Sequence, residues 1–255
     1  MKTTNFIVVL ILLIGWSCSN NKSNPGQLKA EVKSTSESKT EEIKKESNME
    51  LYTSLEKYIE DIKSQVDQIP EERKNQLKKV ALYIDTKKNS NESANLIFIC
   101  THNSRRSHLS QIWAATAANY YNVEDNIFTF SGGTEATAFN PRAVAAIERA
   151  GFKVENPGGE NPHYKVTFGD SGPAMDCFSK KYDDEYNPKE NFAAIMTCSD
   201  ADQNCPFIPG ASLRVPITYE DPKVADGTDY ESAKYDERCK QIATEMFFLM
   251  SQVSA

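Results

Sequence analysis

Several features that define common protein classes are missing from this chain of 255 residues. Its 29 basic residues are outnumbered by 36 acidic ones, and the formal net charge of -7 argues against nucleic-acid binding. The six cysteines are too few and too irregularly spaced for a small disulfide scaffold. Cysteines and three histidines also lack the spacing of a zinc site. We therefore expect no nucleic-acid partner, no metal and no cofactor.

The apolar run at residues 6–14 is too short to span a bilayer, which needs about 20 residues. It follows Lys2 and is typical of the apolar core of a signal peptide. The run ends at Gly15-Trp16-Ser17-Cys18, which resembles a bacterial lipoprotein processing site. We therefore predict a lipoprotein signal peptide at residues 1–18, with Cys18 as the lipidation site. An ordinary secretory signal or an uncleaved anchor remains the alternative.

Residues 19–48 are rich in Ser, Lys, Glu, Asn and Thr and contain almost no large apolar side chains. Such a segment cannot bury enough surface to fold, so we predict a disordered tether. A tether that follows a lipidated cysteine predicts an exported protein, held on a membrane by its lipid and facing the periplasm. A cytoplasmic location is the alternative.

Residues 49–90 have the apolar periodicity of two helices. Apolar residues from Leu51 to Ile69 fall on one helical face. Pro70, followed by Glu71 and Glu72, is typical of the start of a second helix. We expect this N-terminal helix pair to pack on the sheet that follows, although binding to a partner is an alternative.

From residue 91 onward, short apolar runs alternate with helical patterns. Strands are expected at 96–99, 127–130, 192–197 and 213–217, and helices after Ser107, from Pro141 and at about 229–252. The stretch 156–187 is irregular, with possible strands at 164–168 and 174–178. This alternation predicts an α/β fold, a four-stranded parallel sheet with helices on both faces, plus the N-terminal helix pair.

The stretch Cys100–Ser107 lies between the first predicted strand and the next helix. A helix start offers free N–H groups and a partial positive charge, and Arg106 adds a planar fork for two oxygens. This arrangement suits a tetrahedral oxyanion. The same field favours the thiolate form of Cys100, which is the reactive form. The alternative is a structural cysteine beside a surface arginine.

Two further residues, Cys198 and Asp221, also follow predicted strands. Because ligands of parallel sheets bind at the carboxyl ends of the strands, we expect both to converge with Cys100. Other interpretations remain open for each. Asp221 suits a turn cap before Pro222, and Cys198 and Cys205 suit inert thiols or a structural disulfide.

Two segments resemble one known family. The Cys100–Ser107 loop is similar to that of the low-molecular-weight protein tyrosine phosphatase superfamily. Residues 197–206, in which Ser-Asp-Ala-Asp follows Cys198 and precedes Cys205, resemble the redox segment of its thioredoxin-coupled arsenate reductase branch. The similarity covers about residues 95–251, apart from an insertion at about 157–187. It implies that residues 91–255 form a catalytic domain with this family's fold.

The resemblance implies that the protein is an enzyme that reduces arsenate to arsenite. Cys100 would attack arsenic, while Arg106 and the loop amides stabilise the oxyanion. Ser107 would donate to the Cys100 sulfur, and Asp221 would act as general acid.

The resemblance also implies a relay of disulfides. Cys198 would attack Cys100, Cys205 would attack Cys198, and a thioredoxin-like reductant would open the final disulfide. One rival function is a phosphatase acting on phosphotyrosine or a small phosphoester through Cys100, Arg106 and Asp221 alone. Another is a lipid-anchored module that binds oxyanions or senses thiol redox state without turnover.

The interior of the loop is expected to bind the anion, through Thr101, His102, Asn103, Ser104 and Arg105. Asn103 matches the asparagine that braces this loop in the family. His102 stands where the family usually has glycine, so its imidazole is placed to contact the anion or its leaving group. Arg105 stands where many members have a small residue or cysteine, and we expect it to add positive charge at the mouth.

Overall fold

The computed structural model describes residues 50–254. The predicted signal peptide, Cys18 and the tether at 19–48 lie outside the described residues. Within residues 50–254, no helix has the length and apolar character needed to cross a membrane.

A four-stranded parallel sheet forms the centre of the molecule, in the order β2-β1-β6-β7. Its strands are β1 (Ala94–Cys100), β2 (Ile127–Gly133), β6 (Phe192–Met196) and β7 (Ala211–Pro216). The two central strands, β1 and β6, are almost completely buried, as their continuous apolar runs predict. The predicted parallel sheet is confirmed.

Six helices surround this sheet within the described residues. They are α1 (Thr53–Lys63), α2 (Glu71–Asn89), α3 (Arg106–Tyr120), α4 (Pro141–Ala150), α5 (Ser199–Asn204) and α6 (Glu231–Ser251). The ends of α4 follow the sequence prediction: Asn140 caps the start through its side chain, and Gly151 ends the helix with φ 115°.

The N-terminal helix pair is present, but its first helix is shorter than the periodicity predicts. α1 ends at Lys63, and a 3-10 turn at Val66–Gln68 leads to Pro70. The prediction of one helical face as far as Ile69 was therefore wrong. Pro70 disfavours helical backbone at the preceding residue, and Ile69 is extended (φ -64°, ψ 124°). Both helices nevertheless pack into the main core.

The insertion contributes to a second sheet, which is antiparallel and has the order β3-β4-β5. Its strands are β3 (Lys153–Glu155), β4 (Tyr164–Thr167) and β5 (Met175–Cys177). The possible strands at 164–168 and 174–178 are thus confirmed as β4 and β5. The sequence prediction missed β3, because three residues with one apolar side chain carry no measurable periodicity.

The buried apolar side chains form two clusters, and successive residues of β1 point into different ones. Leu96 and Phe98 belong to a large core with the long helices, whereas Ile97 and Ile99 belong to a small cluster. The small cluster also contains Cys100 and Cys198, and Cys205 packs against it. The alternation from Leu96 to Ile99 therefore separates the face of the large core from the face of the small cluster, and Cys100 joins the small cluster at the end of the strand.

Candidate active site

The register of the sheet brings the predicted site residues to one edge. β1 and β6 pair Ile99 with Met196, so Cys100 and Cys198 follow at the ends of adjacent strands. Beyond β7, the Tyr219 N–H donates to the Thr197 carbonyl at 3.1 Å, which guides the chain toward Asp221 at the same edge. The convergence expected from strand ends is therefore present.

Cys100 is only 3% exposed and lies at the start of a chain of side-chain hydrogen bonds. Its Sγ atom is 3.1 Å from Ser107 Oγ, and Ser107 Oγ accepts a hydrogen bond from Asn103 Nδ2 at 2.9 Å. Because Asn103 supplies the donor in that bond, the Ser107 proton is free to point at Cys100. The hydroxyl is thus placed to donate to the Cys100 sulfur.

Asn103 adopts a left-handed backbone conformation, with φ 43°, which asparagine tolerates better than most residues. Its carboxamide bridges two segments: Nδ2 donates to Ser107 and Oδ1 accepts from the Lys180 N–H at 2.9 Å. Asn103 is buried, so each of these bonds is shielded from water. The structure places it as a brace of the loop.

Both partners of this brace come from the insertion, which the sequence prediction did not connect with the site: Lys180 binds Asn103, and the neighbouring Ser179 binds His102. Ser179 Oγ donates to the His102 carbonyl at 2.9 Å and accepts from the Thr137 N–H at 2.8 Å. Gly132 allows the close approach, since a Cβ there would lie 2.4 Å from Tyr182 Cα. A glycine pair at the end of β2 was the only sequence signal of this contact.

Arg106 reaches the same edge and is 7% exposed. Its two terminal nitrogens donate to the Tyr219 carbonyl at 3.0 Å and to Asp221 Oδ2 at 2.8 Å. Its Nε is buried and has no acceptor among residues 50–254. A buried donor without an acceptor costs free energy, so this guanidinium is suited to an additional anionic partner.

Asp221 is bound by two arginines and also caps the 3-10 turn Pro222–Ala225, by accepting from the Lys223 N–H at 3.1 Å. Arg105 donates to both carboxylate oxygens, at 2.8 and 3.3 Å. Burial raises the pKa of Asp221, but Arg106 and Arg105 outweigh it and bring the pKa below its usual value. The carboxyl is therefore ionised in this arrangement. Arg105 does not point into the loop as expected, because Asp221 binds its guanidinium.

The second thiol, Cys198, is fully buried at the start of α5. Its Sγ accepts from the Ala201 N–H at 3.4 Å and lies 3.4 Å from Thr101 Oγ1, which is in the Cys100 loop. A hydroxyl of the loop thus contacts the second thiol directly. Thr101 is the only predicted anion-binding residue whose side chain has this contact among the described residues.

Cys205 follows the other end of α5 and is partly exposed. Arg214 fixes this end, donating to the Cys205 carbonyl at 3.2 Å and to the Asp202 carbonyl at 2.7 Å. The sequence analysis did not predict this helix, in which Cys198 caps the start and two acidic residues lie in the first turn. Cys100, Cys198 and Cys205 are all free thiols.

The remaining loop residues have structural partners. Ser104 Oγ donates to the Ala138 carbonyl at 2.8 Å. The His102 side chain is half exposed at the mouth, with Nε2 3.4 Å from Glu135. His102 is thus accessible to a bound ligand, and its backbone carbonyl is held by Ser179.

No protein-family model matches the chain. An arsenate reductase from Bacillus licheniformis is 27% identical over 148 residues, which cover 57% of this chain and 86% of the relative. Arsenate reductase 2 from Staphylococcus epidermidis is 24% identical over 139 residues, 54% of this chain and 86% of that protein.

Solved structures overlap with about three fifths of the chain. An arsenate reductase in the phosphate-binding state is 19% identical, with a TM-score of 0.41, and covers 63% of this chain and 99% of its own. A low-molecular-weight protein tyrosine phosphatase from T. tengcongensis is 15% identical, with a TM-score of 0.42, and covers 63% and 100%. Over slightly more than half of its length, the chain is therefore similar in sequence to proteins named arsenate reductases.

Proposed function

We propose that this protein reduces arsenate to arsenite with three cysteines. The observation that carries the proposal is the grouping of Cys100, Cys198 and Cys205 as free thiols around one small cluster at the carboxyl edge of the sheet. Hydrolysis of a phosphoester needs one thiol, whereas reduction of arsenic by two electrons needs a second thiol to form a disulfide. The curated relatives are named arsenate reductases, which supports the same choice.

In the first step, the Cys100 thiolate attacks arsenic, an As–S bond forms and an As–O bond breaks. The loop amides and Arg106 bind the remaining oxygens, and the buried Nε of Arg106 gains an acceptor. Asp221 gives a proton to the departing oxygen, which leaves as water. Because Asp221 is ionised next to two arginines, it must first take up a proton. Negative charge on a bound oxyanion raises its pKa in that direction.

In the second step, Cys198 attacks the sulfur of Cys100. An S–S bond forms, the S–As bond breaks, and its electron pair stays on arsenic, which leaves as arsenite. Cys205 then attacks Cys198 and releases Cys100 as a thiolate. The contact of Cys198 with Thr101 supports the first transfer. The second transfer requires α5 to unwind, and a helix of six residues is a weak barrier to that.

A thioredoxin-like dithiol is the proposed reductant of the Cys198–Cys205 disulfide. The partial exposure of Cys205 supports this role, and Phe207 beside it is 76% exposed. We also propose that Cys18 carries a lipid, so that the enzyme is exported, anchored in a membrane and facing the periplasm. The reductant would then be held at the same membrane. Cell fractionation and the mass of the mature N-terminus test this; a cytosolic protein with residues 1–18 intact contradicts it.

The decisive assay measures arsenite formation and phosphoester hydrolysis side by side in the same variants. Cys198→Ser and Cys205→Ser should lose catalytic arsenate reduction, while Cys177→Ser, which alters a buried thiol of the large core, serves as the matched control. If arsenate reduction survives both changes, the relay is wrong. If the unmodified protein hydrolyses p-nitrophenyl phosphate but forms no arsenite, it is a phosphatase that uses Cys100, Arg106 and Asp221. If it only binds phosphate and arsenate, it is an oxyanion-binding module.

A further inference from the structure

Two arginines share the carboxylate of Asp221, but they hold it differently. Arg105 binds both oxygens through its Nε and one terminal nitrogen, so it forms a two-pronged ion pair. Arg106 binds one oxygen through one terminal nitrogen and uses the other for the Tyr219 carbonyl. Arg106 therefore has only one bond to Asp221 to exchange when an anion arrives.

We propose that Arg105 is a positioning residue that keeps Asp221 at the catalytic edge while a substrate oxyanion occupies Arg106. This inference rests on the proposed function and deepens it. Arg105 then serves the acid of the reaction and not the anion.

The charges at the edge explain why such a partner is needed. An oxyanion in the loop and the carboxylate of Asp221 carry the same sign, so they repel each other once Arg106 turns to the anion. Without Arg105, Asp221 would keep only the Lys223 N–H, which belongs to a short and half-exposed turn. The side chains of Arg105 and Asp221 are 12% and 24% exposed, so solvent screens their attraction only in part.

Few other charged or titratable groups face Asp221. Arg106 at the start of α3 and Arg105, which precedes that helix, face it, and from α6 there is Tyr235, whose hydroxyl donates to Asp226 at 2.9 Å. Burial raises the pKa of Tyr235, so it carries no charge near neutral pH. Arg105 is therefore the cation that remains with Asp221 after the anion binds.

The test titrates the Asp221 carboxyl by carbon-13 NMR in the full chain carrying Cys100→Ser, with and without inorganic phosphate. When Arg105→Gln is introduced into this Cys100→Ser protein, the titration midpoint of Asp221 should move to higher pH. Phosphate should then raise that midpoint by more than it does in the protein with Arg105 intact. Arg105→Lys, which keeps the charge but not the two-pronged geometry, should lie between them. Arg142→Gln is the matched control, because Arg142 pairs with Asp226 and Glu231 beside the same turn. Identical midpoints for Arg105→Gln and Arg142→Gln in both conditions overturn the proposal.

Turnover supplies the second readout, in chains with Cys100 intact. If Arg105 holds Asp221 ionised, Arg105→Gln should retain activity to higher pH than the parent, since Asp221 must be protonated to act. The ratio of kcat at pH 8 to kcat at the pH optimum should be about fivefold higher in Arg105→Gln than in the parent. A fivefold ratio corresponds to about 1 kcal/mol, the free energy of an ion pair. If the pH dependence of kcat is unchanged in Arg105→Gln and only KM is raised, Arg105 binds the anion instead. The NMR readout needs no turnover, so it tests Arg105 even if arsenate reduction is not observed.

Discussion

The described cysteines fall into two groups whose surroundings differ. Cys177 and Cys239 are buried in the large core, and burial raises the pKa of each to about 12. Cys100, Cys198 and Cys205 lie around the small cluster at the carboxyl ends of the strands. Cys100 and Cys198 are as buried as the first group, so exposure alone does not distinguish them.

What differs is that the thiols of the small cluster contact polar groups of the Cys100 loop and of the start of α5. Cys100 has the Ser107 hydroxyl, and Cys198 has the Ala201 N–H and the Thr101 hydroxyl. Cys239 also accepts a hydrogen bond, from Trp113 Nε1, but it lies in the large core and not at the carboxyl ends of the strands. The position in the sheet, more than burial, therefore distinguishes the cysteines proposed to react from the structural ones.

The largest expected effect is that of Cys100→Ser. Arsenite formation should fall by about 10³-fold or more, because removal of a covalent nucleophile eliminates the chemical step. Phosphate binding, measured by calorimetry, should persist because the loop amides and Arg106 remain. Substantial arsenite formation by this variant would place the nucleophile elsewhere.

Cys205→Ser should have the next largest effect, and a different kinetic form. Cys198 can still release arsenite once, so we expect a burst of about one arsenite per chain followed by a stop. Rapid-quench detection of arsenite measures the burst. A steady rate equal to that of the unmodified protein would remove Cys205 from the relay.

A smaller effect is expected when the insertion loses its bond to the loop. Ser179→Ala removes a hydrogen bond to the His102 carbonyl, worth about 1 kcal/mol. Phosphate affinity of the Cys100→Ser protein should weaken about fivefold. Ser251→Ala, which removes a similar bond in α6 far from this edge, is the control. Equal affinity in both variants would mean that the insertion does not position the loop.

The smallest effect on activity is expected in the large core. Cys177→Ala and Cys239→Ala should leave kcat within about twofold, because neither thiol contacts the site. Cys239→Ala should lower the free energy of unfolding by about 1–3 kcal/mol, since Trp113 Nε1 loses its acceptor at 3.2 Å. Denaturant titration measures this loss. A large fall in kcat in either variant, with unchanged stability, would contradict the division into structural and reactive cysteines.

Much of the fold could be predicted because its information is local. The strands β1 and β6 are indicated by runs of consecutive apolar residues, and the ends of α4 are indicated by the residues next to them. Local patterns also placed Cys100, Cys198 and Asp221 at strand ends, and parallel pairing then brought them together.

The contacts that refine the site could not be predicted, because they join distant segments. Arg105 and Asp221 are 116 positions apart, and Asn103 and Lys180 are 77 apart. No periodicity encodes which arginine binds which carboxylate. The helix between Cys198 and Cys205 was missed for another reason, since five polar residues and one alanine give no apolar periodicity.

The most direct test of the central claim is to map disulfides by mass spectrometry after the reduced protein has turned over arsenate without a reductant. The reaction would be quenched with acid, and the thiols that remain free would then be alkylated. We predict a Cys198–Cys205 disulfide with Cys100 alkylated, formed in equal amount to arsenite, and a Cys100–Cys198 disulfide in the Cys205→Ser variant. Arsenite release with Cys198 and Cys205 still reduced would contradict the account.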